Sequence, residues 1–322
     1  MKMREEWIDV SKSILIYLMV LGHCMAGNGV NTWFYAFHMP AFFIISGYLY
    51  KSHPITRTIK QLFIPVLFFS AINLVYKLCM NILTQKGIEN FLNLLTKCWQ
   101  PYIYTNDGNY TSLFPGVWFI IVLFFCRMLM GDLKIFSINP KFDLYLALLC
   151  ITVVVIFTFI PSYDKILNIY IVKTIVCLPF MLLGRLFKQF KNCLKKKFYL
   201  LIPLLTLYVL LTYFNGPIDI YSSQFGKSVV IMYMNAFLAS VAFFMLCFHL
   251  KIFKSSFELL SKGTLLILGL HQIILSVGKI LIYKAGIEES ILGSLLLSFV
   301  VLLVCMPLIK FSINRYPWII GK

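Results

Sequence analysis

Residues 13–24 read SILIYLMVLGHC, an apolar run without acidic residue, lysine or arginine and with one histidine, His23. Similar runs recur along the chain as far as residue 309. A bilayer core of about 30 Å requires about 20 apolar residues per helix, and in hydrocarbon only a helix or a closed barrel satisfies the backbone. Because the runs are too long for barrel strands, the sequence predicts an all-α polytopic membrane protein.

The composition supports one membrane domain. Of 322 residues, 60% are hydrophobic and 13% are charged, whereas soluble domains carry roughly a quarter charged residues. We therefore expect a single transmembrane domain over residues 1–322, with about ten helices in one bundle and no separate soluble domain. The predicted spans are 13–30, 33–50, 61–83, 114–131, 142–161, 164–187, 198–214, 228–249, 263–284 and 290–311.

The net charge of +17 has a topological explanation. If both termini are cytoplasmic, 21 of the 29 Lys and Arg lie on segments of the inner side, as the positive-inside rule describes. The sequence thus predicts a multi-pass protein of the inner (cytoplasmic) cell membrane with both termini in the cytoplasm. It indicates no nucleic-acid partner, and a basic inner face favours anionic membrane lipid or an anionic cytoplasmic substrate.

The nine cysteines indicate no metal site. They occur singly, mostly inside apolar runs, without the paired spacing of a zinc site or of a disulfide framework. We expect them to be small buried apolar side chains.

His23 is the main catalytic candidate, because ionisable groups at membrane depth are costly and often functional. It follows Lys12 by eleven residues, which is about 16 Å along a helix. A histidine at this depth can take a proton from an alcohol and return it. The alternative is a structural histidine bonded to a neighbouring helix. No acidic residue lies near His23 within the spans, so a backbone carbonyl or Ser46 is the candidate to orient its ring.

The second predicted span adds His38, near its outer end, and Pro40, which we expect to kink the helix so that His38 lines a cavity. The alternative for His38 is a capping or packing role. The next segment carries Arg57 and Lys60, three residues apart and suited to holding phosphates. Ordinary positive-inside charge is the alternative for this pair.

Other polar side chains also lie in or near spans. We expect Lys173 and His271 to face the bundle interior, and Arg185 and Lys279 to snorkel towards the interfaces. The outer segment 84–113 contains aromatic and amide residues that suit a sugar. The alternative is an interfacial aromatic belt. The residues concerned are Trp99, Pro101, Tyr102, Tyr104, Asn106, Asp107, Asn109 and Tyr110.

In order and spacing, several of these residues resemble acyltransferase family 3 of membrane-bound O-acyltransferases. The first part of the resemblance covers about residues 4–65, and later stretches around Trp118 and His271 also look similar. The residues that carry it are Arg4, Asp9, Lys12, His23, 37–40 (FHMP), 46–49 (SGYL), Arg57, Lys60, Pro65, 117–120 (VWFI), 263–265 (GTL) and 270–271 (LH).

The resemblance implies transfer of an acyl group, usually acetyl, from cytoplasmic acetyl-CoA to a hydroxyl of a cell-surface or lipid-linked glycan. The acceptor would be of the exopolysaccharide, O-antigen or capsule type, and glycan-biosynthesis proteins are possible partners. His23 would be the base or the nucleophile, and Lys12, Arg57 and Lys60 would bind the donor. The residues that would support the catalytic group or bind the acceptor are Asp9, His38, Ser46, Trp118 and His271.

The alternative function is a transporter or flippase for a glycan or lipid-linked sugar, since many apolar helices with few internal charges are also typical of transporters. Transporters often contain two related halves with broken helices, and we see no convincing internal repeat. A purely structural membrane protein would not need His23, Lys12 and the Arg57 pair in one register, so we favour the acyltransferase.

Overall fold

The structure, a computed structural model, describes residues 5–25, 29–84, 92, 95–104, 113–132, 140–250, 254–286 and 290–322. These residues are mostly helical and contain no β-strand, only two isolated bridge pairs. The helices are α1 (Glu6–Cys24), α2 (Asn31–Tyr35), α3 (His38–Tyr48), α4 (Ile55–Leu83), α5 (Val117–Arg127), α6 (Asp143–Phe157), α7 (Tyr163–Leu167), α8 (Tyr170–Lys196), α9 (Leu201–Asn215), α10 (Val229–His249), α11 (Lys254–Lys262), α12 (Thr264–Lys284) and α13 (Ile291–Arg315).

Among the described residues, seven helices are long and apolar enough to cross a membrane. They are α1, α4, α8, α10, α12, α13 and the segment Phe198–Asn215 that includes α9. Outward-facing side chains on these helices are large and apolar, such as Leu67, Ile202 and Leu292. The protein is thus an all-α integral membrane protein, as predicted, whereas the count of ten spans is not confirmed.

The remaining three predicted spans contain shorter helices. Span 33–50 is divided at Phe37, whose φ of −138° separates α2 from α3. The expected kink at Pro40 is wrong, because Pro40 lies in the first turn of α3, where a helix does not use its backbone N–H groups. Spans 114–131 and 142–161 contain α5 and α6, of 11 and 15 residues.

Helices α3 and α8 cross at two glycines. A methyl group on Gly47 would overlap the carbonyl oxygen of Met181, and one on Gly184 would overlap that of Ile44. Small residues allow helix backbones to approach this closely in membranes. The crossing therefore fixes α3 against the longer helix.

The two ends of the bundle differ in chemistry. At one end, which we call the basic end, the carboxylate of Glu5 accepts hydrogen bonds from Tyr48 and Lys191. Lys254 forms an ion pair with Glu6 at this end. Loops that the charge pattern assigns to one side of the membrane therefore lie together here. At the other end, the distal end, the Tyr170 hydroxyl donates to the Pro101 carbonyl.

Two of the interior cations are paired with oxygen. Lys173 is fully buried, as predicted, and its ammonium donates to Asn168 Oδ1 at 3.2 Å and, at 2.8 Å each, to Ser223 Oγ and to the carbonyls of Ile220 and Tyr221. The expectation that Arg185 snorkels to the interface is wrong. Its guanidinium forms a two-point ion pair with the buried Asp143.

Candidate active site

Helix α1 carries the first cation and the first histidine of the predicted site. It is continuous from Glu6 to Cys24, so the eleven residues between Lys12 and His23 correspond to about 16 Å along its axis. Lys12 is half-buried and Asp9 is buried, and both have interaction partners. One rigid element therefore links the cation to the histidine.

His23 lies at an opening within the bundle. Protein atoms surround it on most sides, and yet its side chain is exposed. It makes no hydrogen bond with the described residues. The alternative of a structural histidine bonded to a neighbouring helix therefore finds no support in the described part of the chain.

His271 on α12 packs beside His23. The two ring centroids are 5.1 Å apart, with 38° between the ring planes. His271 is fully buried, as predicted. Its Nδ1 lies 3.1 Å from the Ile267 carbonyl oxygen and 3.0 Å from that of Leu268. Its Nε2 is buried, and no described residue forms a hydrogen bond with it.

Tyr35 and His38 lie next to this pair. The Tyr35 ring occupies the space beside Gly22, where an added Cβ would lie 2.6 Å from Tyr35 Cε1. The His38 ring centroid lies 5.2 Å from that of Tyr35. His38 is buried, and its Nδ1 lies 2.7 Å from the carbonyl oxygen of Phe34. The helix break at residue 37 thus brings His38 to the site, although Pro40 does not cause it.

The structure adds a carboxylate that the sequence did not suggest. Asp219, in the segment between α9 and α10, lies within electrostatic reach of both His23 and Tyr35. Its oxygens accept hydrogen bonds from the Tyr221 backbone N–H and the Ser222 hydroxyl. No pattern in residues 216–228 links this segment to α1, because the contact depends on how the chain folds back at the distal end.

A pocket of about 200 Å³ lies at the basic end, between α3, α4 and α5. Arg57 and Lys60 are exposed on α4, and neither forms an ion pair with the described residues. Arg57 precedes Gln61 by one helical turn and shares its face, whereas Lys60 follows Thr58 by two residues and points away from it. The pocket is lined by Ser46, Leu49, Thr58, Gln61, Leu62, Leu123 and Arg127.

Arg127 was not predicted as a site residue, and buried Asp132 holds it at this pocket. The Arg127 Nε donates to Asp132 at 3.0 Å. Asp132 also accepts from the hydroxyls of Thr58 and Tyr50 and from the backbone N–H of His53. This network joins the α3–α4 loop to the end of α5 and fixes the guanidinium in place.

Ser46, a predicted site residue, lies away from His23, whereas Trp118 lies at the distal end. The Ser46 hydroxyl donates to the Phe42 carbonyl and lines the pocket at the basic end. Ser46 is two residues from Tyr48, which contacts Trp7 at the start of α1, so it cannot orient the His23 ring sixteen residues further on. Trp118 is buried at the distal end, where its ring centroid lies 6.0 Å from that of Tyr221.

The predicted sugar-binding outer segment lies partly outside the described residues, which exclude Asn106, Asp107, Asn109 and Tyr110. Of the part described, Trp99 is exposed, and the Tyr102 hydroxyl lies 2.5 Å from the Ser70 hydroxyl. Within the described ranges, no group of three or more His, Cys, Asp or Glu side chains is placed to hold a metal ion.

These features agree with the comparison with known families. Residues 5–310 match the model of the acyltransferase domain of acyltransferase family 3, so the chain belongs to this family. No curated protein and no solved structure matches it. The chain is therefore a membrane acyltransferase.

Proposed function

We propose that this protein transfers an acetyl group from cytoplasmic acetyl-CoA to a hydroxyl of a cell-surface or lipid-linked glycan. One observation carries the proposal: His23 lies at an opening of the bundle, on the same continuous helix that begins at the basic end. Acyl transfer to a hydroxyl requires a group that removes the hydroxyl proton or forms an acyl intermediate, and an accessible imidazole does either.

The basic end is the donor site of this proposal. Coenzyme A carries several phosphates, and arginine binds phosphate through two parallel hydrogen bonds. Arg127 lines the 200 Å³ pocket, and Arg57 shares the helix face of Gln61, which also lines it. Lys60 adds positive charge from the neighbouring face. The thioester arm of the donor then runs into the bundle, past Lys12, towards His23.

The transfer follows one of two routes. In the first, His23 takes the proton of the acceptor hydroxyl, the oxygen attacks the thioester carbonyl, and the carbon–sulfur bond breaks. Coenzyme A leaves as a thiolate and takes the proton from His23. In the second, a His23 nitrogen attacks the thioester and releases coenzyme A; the acceptor oxygen then attacks the acyl-imidazole, and its proton passes to the departing imidazole.

The acceptor approaches from the distal end, which carries His38, Tyr35 and Trp118. We place the protein in the inner cell membrane, with the basic end in the cytoplasm, because coenzyme A is cytosolic. The acceptor is a glycan of the exopolysaccharide, O-antigen or capsule type, delivered with the help of glycan-biosynthesis proteins. Anionic lipid is the natural partner of the exposed basic end.

The first test replaces His23. We expect His23→Ala to remove the acetyl-dependent mass from the host surface polysaccharide, measured by mass spectrometry at matched membrane levels. His249→Ala is the control, because this histidine bonds to the Met245 carbonyl of its own helix and lies outside the site. Acetylation that persists in His23→Ala refutes the catalytic assignment.

The second test addresses the donor. We expect the double variant Arg57→Ala, Lys60→Ala to weaken acetyl-CoA binding at least about tenfold, since hydrogen bonds to charged groups contribute about 1.5–3 kcal/mol. Calorimetry with purified protein measures this affinity. The matched control, Lys195→Ala with Lys196→Ala, removes two exposed cations from the end of α8. Equal affinities in both double variants contradict the donor site.

A further inference from the structure

The Nε2 atom of His271 is fully buried and has no hydrogen-bond partner among the described residues. Leaving a buried polar atom unpaired costs roughly 1–3 kcal/mol. Such a cost at a position beside the candidate catalytic histidine indicates that this nitrogen acquires a partner during the reaction.

The protonation of the His271 ring follows from its surroundings. Its Nδ1 faces the carbonyl oxygens of Ile267 and Leu268, and a carbonyl oxygen only accepts hydrogen bonds. The Nδ1 atom therefore carries the proton, and in the neutral ring Nε2 presents a lone pair. The unpartnered atom is an acceptor held in a fixed direction.

The exposed His23 ring is the donor that lies within reach. The ring centroids are 5.1 Å apart, and no hydrogen bond to the described residues holds the His23 ring in another orientation. Two other polar groups near His23 do not supply this donor. Asp219 acts as an acceptor, for the Tyr221 N–H and the Ser222 hydroxyl, and the Nδ1 of His38 already faces the Phe34 carbonyl.

We propose that His271 is a positioning residue whose Nε2 accepts the ring N–H of His23. This hydrogen bond fixes one tautomer of His23, so that its other nitrogen presents a lone pair to the opening. It also stabilises the imidazolium that forms when His23 takes a proton. His271 thereby does what a carboxylate does in a Ser-His-Asp triad. The inference rests on the proposed role of His23.

The test compares two substitutions of His271, one that keeps the ring shape and one that keeps a hydrogen-bond acceptor. His271→Phe keeps a ring without an acceptor, whereas His271→Gln keeps an acceptor without a ring. We expect kcat to fall by about 100-fold in the Phe variant, with the KM for acetyl-CoA unchanged, and to recover in part in the Gln variant. The assay follows radiolabelled acetyl transfer from acetyl-CoA in membranes of the host that carry the native acceptor.

A packing role predicts the opposite order, with Phe more active than Gln, and this result overturns the inference. A raised KM for acetyl-CoA at unchanged kcat also overturns it, because His271 would then contact the donor. If His23→Ala keeps full activity, the proposed function fails first. If His23→Ala is inactive but both His271 variants keep wild-type kcat, only the inference fails.

A second readout does not depend on activity. Diethyl pyrocarbonate modifies unprotonated, accessible imidazole nitrogens, and mass spectrometry of the peptide that contains His23 reports its rate of modification. We expect slower modification in His271→Phe than in wild type, with partial recovery in His271→Gln. Equal rates in all three proteins contradict the hydrogen bond, even where a variant accumulates to a lower level.

Discussion

Glu5 holds three segments together at the basic end. Its carboxylate accepts hydrogen bonds from Trp7 Nε1 at 2.6 Å, from the Tyr48 hydroxyl at 2.7 Å and from Lys191 Nζ at 2.7 Å. Burial alone would raise the pKa of Glu5, but the hydrogen bonds from Lys191, Trp7 and Tyr48 outweigh it, and the pKa lies below its ordinary value of 4.5. The charged form is therefore favoured in the folded protein.

This shift predicts an acid-dependent stability. Because the folded pKa is below the unfolded one, the contribution of Glu5 is fully present above pH 4.5 and is lost as pH falls through the folded pKa. We expect Glu5→Gln to lower stability at neutral pH by about 0.2–1 kcal/mol, since the pair is partly exposed. Thermal unfolding in detergent should show the two proteins converging as the solution is acidified.

Asp164→Asn is the control for this comparison, because Asp164 is an exposed carboxylate at the distal end. It should follow wild type at every pH. A constant difference between Glu5→Gln and wild type across the acid range would contradict the prediction.

At the residue scale, the sequence predicted the polar side chains whose burial in a membrane costs free energy. His23, Lys173 and His271 stand out because each places a polar side chain in an apolar run, and the structure gives each a specific environment. Asp219 and Tyr35 could not be found in this way. Asp219 lies in a segment of ordinary polarity, and Tyr35 is one of several aromatic residues in an apolar span. Only the folding of the chain brings both of them to the opening.

At the scale of elements, the sequence predicted long helices well and interrupted ones poorly. Hydropathy counts apolar residues over a window, so it does not detect a break such as that at Phe37, where both flanking segments are apolar. The break matters because it turns His38 and Tyr35 towards α1. The same limit applies to α5, which begins after Gly116 in the left-handed region, with φ +73°.

The glycine crossing of α3 and α8 gives a prediction at this scale. We expect Gly47→Ala and Gly184→Ala each to lower the free energy of unfolding by about 1–3 kcal/mol or more. The added methyl overlaps a backbone carbonyl, which can move only if the helix itself shifts. Thermal unfolding in detergent and the yield of folded protein measure the effect. Gly29→Ala is the matched control, since no atom of the described residues lies within 4 Å of its added methyl. Equal stability of all three variants would exclude the close approach.

The whole molecule has two chemically different ends, and the charge pattern predicts which one faces the cytoplasm. We expect Asp164→Cys, at the distal end, to react with a membrane-impermeant maleimide in intact cells. Lys196→Cys, at the basic end, should react only after permeabilisation. Both positions are exposed, and the partly or fully exposed Cys79, Cys98 and Cys193 are first replaced by serine. The reverse pattern of labelling would overturn the proposed orientation and, with it, the cytoplasmic donor site.

The four oxygen atoms that bind the Lys173 ammonium have a consequence for the insertion of the protein into the membrane. The ribosome releases α8 well before residues 220–223, which supply three of the four oxygens that hold the ammonium. Until those residues arrive, the new helix carries a positive charge at the membrane without most of its acceptors, a state that favours return to water. The stable insertion of α8 therefore depends on a segment that is synthesised almost fifty residues later. It follows that α8 and this later segment insert together, and not as independent helices.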